Sequence, residues 1–229
     1  MGRTPALIAA ALAACDGTGA TPDAAPDADL VDFTFTGTFV DWDSTAVAPC
    51  PIIGATWTAT YDDQRTTTTD DTGAFTLALA SYTALVDVTP PAGPSTCAGG
   101  TYAIPGIAIA PPAVSLAGGV VVARGLTQAR AATFYAAVGA AFDPMRGNLL
   151  IHVNGTPRAF AIAEPHAPEQ AYSGTSWSAG DTGVDVMFPN IEIPMSRRAT
   201  ASVSGGNAVG LGAVQLAPGT ITYMTVILR

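Results

Sequence analysis

The chain has 229 residues, 48% of them hydrophobic, but 44 are Ala, so bulky core-forming side chains are fewer than that fraction implies. Charged residues make up only 12%, about half the share found in an average soluble domain. All nine basic residues are Arg against 18 acidic ones, and the net charge of −9 excludes a nucleic-acid binder working through a basic surface and any polybasic attachment to anionic lipid.

At the N-terminus, Arg3 precedes the apolar run Ala6 to Ala14, which ends at Cys15 and is followed by Asp16-Gly17. Nine helical residues cover less than half of a ~30 Å hydrocarbon core, so the run is too short to span a bilayer and reads as a secretory signal. Leu12-Ala13-Ala14-Cys15 resembles the bacterial lipobox. That resemblance implies a signal peptide over 1–14, acylation of Cys15 and attachment to membrane lipid at the bacterial cell envelope, facing the periplasm or the cell surface. The other reading is an ordinary signal cut at Ala-x-Ala, with Cys15 left as a thiol. Residues 15–29 then form a tether. They are rich in Pro, Gly and Asp, and with no large apolar side chain they cannot bury enough surface to offset ordering entropy. With Cys15 assigned to lipid, Cys50 and Cys97 remain as one disulfide pair in an oxidising compartment, or else as two buried thiols.

From Val31 the pattern becomes short alternating runs broken by Gly, Pro and Asp, the signature of strands. Phe33, Phe35 and Phe39 alternate with Thr. Ala55, Trp57, Ala59 and Tyr61 share one face of a strand, with Thr on the other. Asp70-Asp71-Thr72-Gly73 is a turn feeding the alternating run Ala74 to Leu79, and 84–89 is a further strand before Pro90-Pro91. Gly37-Thr38-Phe39-Val40-Asp41, Pro51-Ile52-Ile53-Gly54-Ala55-Thr56-Trp57 and Thr69-Asp70-Asp71-Thr72-Gly73-Ala74-Phe75 resemble the conserved elements of the carboxypeptidase regulatory-like domain. The resemblance implies a transthyretin-like, Ig-like β-sandwich over 30–115 and brings no catalytic residues.

Residues 116–146 are expected to be a connector with one helix: Thr127 caps it, Gln128 to Val138 lacks Pro and Gly, and Ala131, Phe134, Tyr135 and Val138 fall at helical spacing before Gly139. Its apolar stripe is expected to pack on a sandwich. Strands resume at Leu149, Ile151 and Val153, continue through 184–193 and 199–203, and end with Ile221, Tyr223, Thr225 and Ile227 facing together; 147–229 is read as a second β-sandwich-like domain. Residues 171–180 read as a polar, flexible loop carrying two aromatics. The fold expectation is therefore all-β, one or two Ig-like sandwiches with one short connecting helix.

Chemistry is sparse. His152 falls on the face opposite Leu149, Ile151 and Val153, a solvent face. His166 lies in a Pro-bounded loop with Glu164 and Glu169, and Asp41 with Asp43 and Asp62 with Asp63 sit near strand ends. Turn carboxylates ordinarily satisfy backbone amides, and no calcium-loop pattern accompanies them. Gly174-Thr175-Ser176-Trp177-Ser178 lacks the final Gly of a nucleophile elbow. No metal, no cofactor and no enzymatic activity are expected. The favoured function is a non-catalytic envelope lipoprotein whose sandwich domains serve a structural or protein-interaction role. The alternative is a carbohydrate-binding surface module in which Trp42, Tyr172 and Trp177 offer exposed rings for sugars to stack on.

Overall fold

The structure, a computed structural model, describes residues 33–59, 65–80, 85–97, 99–103, 105–108, 120–193, 199–205, 208–209 and 213–228. The first half supplies β1 (Phe33–Asp41), β2 (Thr56–Ala59), β3 (Thr66–Thr68), β4 (Ala74–Leu79), β5 (Leu85–Thr89), β6 (Pro105–Ala108) and β7 (Val120–Gly125). The helix α1 (Gln128–Ala137) follows. Then come β8 (Gly147–Asn154), β9 (Ala161–Ile162), β10 (Gln170–Tyr172), β11 (Trp177–Ala179) and β12 (Asp185–Ile191). The chain closes with β13 (Ala199–Ser204), β14 (Ala208–Val209), β15 (Ala213–Leu216) and β16 (Ile221–Leu228).

Period-two alternation does what it predicts in the first half. Phe35 and Phe39 of β1, Trp57 of β2, and Phe75 and Leu77 of β4 are all buried, while the Thr residues between them are wholly or partly exposed. Trp57 stacks on Phe75 with ring centroids 3.7 Å apart. The Asp70 to Gly73 turn closes as expected: Asp70 Oδ1 accepts from the amides of Thr72 and Ala74 at 2.8 and 2.9 Å, and Gly73 takes φ +74°, where a side chain is strained.

Three sheets stack. One has the order β4-β1-β7, with β1 and β7 parallel. A ten-stranded sheet runs β11-β10-β12-β8-β16-β6-β5-β2-β3, with β14 also on β16, and the third sheet is β15-β13-β9. The large sheet is buried on both faces along β8, β12 and β16. Leu150, Met187 and Tyr223 join the core shared with β1 and β4, whereas Leu149, Ile151, Val186, Phe188, Met224 and Val226 join a second core with Phe160, Val203, Val214 and Leu216. The all-β sandwich class is therefore observed, in a three-layer form.

The expected boundary between 30–115 and 147–229 does not separate two sandwiches. β16 lies between β6 and β8, parallel to both, and Val31–Arg229 forms one unit. Parallel pairing requires a crossover connection, so strands distant in sequence become neighbours in space. The helix matches its expectation: Thr127 Oγ1 accepts from the Arg130 amide at 3.2 Å, Gly139 follows the last turn at φ +70°, and Ala131, Phe134 and Tyr135 are buried. The segment read as a loop over 171–180 instead contains the hairpin β10–β11, with Tyr172 paired to Trp177 across a four-residue turn. The Ser and Gly that suggested mobility occupy that turn.

Candidate functional site

Trp42, Tyr172 and Trp177 meet, but not as an open platform. Trp42 follows β1, and Tyr172 and Trp177 face each other across the β10–β11 hairpin. Trp42 and Trp177 stack with centroids 4.7 Å apart and planes 11° from parallel; Phe134 of α1 meets both edge-on, and Tyr172 lies 5.2 Å from Trp177. Trp42 and Tyr172 are buried and Trp177 is partly buried. The expectation of exposed rings at Trp42 and Tyr172 is corrected: these rings pack against one another, and only Trp177 keeps part of its surface exposed.

A charge cluster that sequence reading missed sits beside them. Asp185 is fully buried and takes two partners: Arg124 Nε donates to its Oδ2 at 2.8 Å, and His152 Nδ1 lies 2.7 Å from its Oδ1. Arg124 belongs to β7 in the three-stranded sheet, so the pair bridges two layers. The same guanidinium donates to the Trp42 and Ser44 carbonyls at 3.2 and 3.0 Å and lies 4.5 Å over the Tyr172 ring. His152 is not on a solvent face. Alternation places it opposite Leu149, Ile151 and Val153 as expected, but that face is the other core, and the side chain is only 24% exposed. In a two-sided buried sheet, alternation selects between two interiors instead of inside and outside.

The remaining candidates are committed to structural partners. Asp41 Oδ2 accepts from Ser95 Oγ at 3.1 Å and Tyr102 Oη at 3.2 Å, and Asp43 receives a two-point contact from Arg130 at 2.6 and 3.1 Å. Burial, chiefly, together with the neighbouring Asp41 charge, pushes the Tyr102 phenol up to about 12. Desolvation alone raises Tyr135, and it is the largest cause for Tyr223. His166 bonds the Ala167 carbonyl at 2.8 Å, and its other ring nitrogen lies 3.6 Å from Glu169. Among the described residues, no three His, Cys, Asp or Glu side chains gather at metal-binding spacing. Cys50 and Cys97 are bridged, with Cα atoms 6.2 Å apart. Cys15, the 1–14 and 15–29 segments, Tyr61 and the Asp62-Asp63 pair lie outside the described residues.

A cleft of about 980 Å³ lies elsewhere, between α1, the segment after it, residues 101–103 and the turn before β16. That volume is at the upper end of small-molecule sites. Buried Leu126 and Ile221 form its floor, Ala132 and Ala136 line the helix side, and Tyr102 and Phe142 contribute aromatic walls.

No protein-family model matches the chain, and no curated protein matches it. Among solved structures, the Bacillus anthracis TIE protein aligns over 87% of this chain at 12% identity and a TM-score of 0.25. The chain spans about a third (34%) of that protein's length.

Proposed function

We propose that the protein is a non-catalytic lipoprotein of the bacterial cell envelope, whose β-sandwich unit serves a structural or protein-interaction role. The observation that carries this reading is the Cys50–Cys97 bridge, taken together with the Leu12 to Cys15 segment. A bridge between residues 47 apart belongs to an oxidising compartment, and a short apolar run ending in Ala-Ala-Cys supplies both export and an acyl anchor. Stable anchoring requires more than one acyl chain, which lipidation of Cys15 would provide. The carboxypeptidase regulatory-like elements over 37–75 fit a non-catalytic module. The buried carboxylates fit it too, since Asp185 and Asp41 are each held by protein donors.

The test is fatty-acid labelling of the full chain in a bacterial host, followed by membrane fractionation. Label on the wild-type protein, and its loss with release to the soluble fraction in Cys15→Ala, are the expected outcomes. An unlabelled protein, or a Cys15→Ala chain that stays with membranes, overturns the anchor.

A further inference from the structure

We propose that the cleft between α1 and the turn before β16 is a binding site for a neutral, hydrocarbon-rich small molecule. Its lining is apolar in character, and none of its described residues carries a formal charge, in a chain of net −9. Tyr102, the only titratable side chain among the described lining residues, donates its hydroxyl to Asp41 at 3.2 Å. An anionic ligand would find no cation there and would meet the acidic field of the whole molecule, whereas a neutral one loses nothing. Thr101 and Gln128, both exposed, bring a hydroxyl and an amide to the rim, enough to orient a single polar group of the ligand.

The walls are held by a polar network anchored on buried Asn148, so the cleft is formed before any ligand arrives. Asn148 is fully buried on β8; its Nδ2 donates to the Thr220 carbonyl at 3.1 Å, and its Oδ1 accepts the Asn190 amide at 2.9 Å. Asn190 sits at the irregularity in β12 with φ +53°, the one non-glycine residue at positive φ among those described. From that conformation its Nδ2 reaches the Ala141 carbonyl at 2.7 Å, and its Oδ1 takes the Asp143 amide at 3.2 Å. Thr220 and Ala141 both line the cleft. The left-handed backbone and the buried amide thus serve two of its walls. A third wall is pinned where Ala103 donates to the Leu126 carbonyl at 2.8 Å and Gln128 donates to the Thr101 carbonyl at 2.9 Å. Preorganisation of this kind removes the ordering cost that otherwise weakens binding.

The experiment uses the full chain carrying Cys15→Ala, so that no acyl chain or detergent takes up the probe, and it is independent of whether Cys15 is the anchor. Two fluorescent probes share a hydrocarbon skeleton: N-phenyl-1-naphthylamine is neutral, and 8-anilinonaphthalene-1-sulfonate carries a sulfonate. The neutral probe is expected to bind saturably at one equivalent, and the sulfonate at least about tenfold more weakly. Ala136→Trp and Ala132→Trp add bulk at exposed helix positions that line the cleft. Each should lower affinity for the neutral probe about tenfold while leaving the thermal transition in place. Absence of saturable binding, equal affinity for the sulfonate, or unchanged affinity in both Trp variants overturns the proposal. The probe comparison on the parent chain stands even if neither variant folds.

Discussion

Asp185, which sequence reading did not single out, ties two layers of this structure together. Its carboxylate is fully buried between Arg124 and His152, and Arg124 in turn fixes the Trp42 and Ser44 carbonyls. Removing one partner of such a pair leaves an uncompensated buried charge, so Asp185→Ala should cost about 3–5 kcal/mol in urea unfolding. The paired change Arg124→Met with Asp185→Leu should cost clearly less, and equal losses would show that the cluster acts through packing alone. Tyr102 adds a dependence on alkaline pH. Its folded value near 12 exceeds the ordinary 10.0, so the protonated phenol stabilises the fold fully below about pH 10, and that contribution is lost as pH rises toward 12. Unfolding free energy should therefore fall across that window, and Tyr102→Phe should make the fall shallower. Neither role was legible in sequence. Asp185 and Arg124 are 61 positions apart on strands of different sheets, and nothing in their local patterns marks them as partners.

Elements whose contacts are local were readable. The Thr127 cap, the Ala131, Phe134 and Tyr135 stripe and the Gly139 stop lie within one short segment and obey helix geometry. Thr127→Ala should lower stability by about 1 kcal/mol by stripping the Arg130 amide of its acceptor, measured by denaturant unfolding. Strands with one buried face were equally plain, because their alternation reports burial directly. β3 was missed because Thr66, Thr67 and Thr68 carry no polarity contrast, and β10–β11 because their three-residue runs are too short to show a period. Close sheet pairing also makes demands that pattern does not display. A Cβ on Gly37 would collide with the Val121 carbonyl oxygen of the parallel neighbour β7. Gly37→Ala should therefore destabilise by about 1–3 kcal/mol or more, with no effect expected from Gly54→Ala beyond its turn strain, since nothing lies near that position.

For the whole molecule, the interleaving of β6, β16 and β8 predicts a single cooperative unfolding transition for 31–229 and no stable fold for a fragment spanning 30–115. Circular dichroism and amide spectra of that fragment check this: a dispersed, cooperatively melting spectrum would restore an independent first domain. The Cys50–Cys97 bridge should contribute up to about 4 kcal/mol by restricting the unfolded chain, read as a lowered unfolding midpoint in Cys50→Ser with Cys97→Ser. By itself, the sequence determined the strand-rich class, the helix and its ends, the pairing partners left once Cys15 is set aside, and the improbability of a basic-surface function, because composition and short-range periodicity act within a few residues. Only the tertiary structure decided that the two halves share one sheet, that the three aromatics close on each other and that a buried carboxylate ties the layers together. Those outcomes depend on which strands become neighbours, and parallel pairing between distant segments leaves no local trace in the chain.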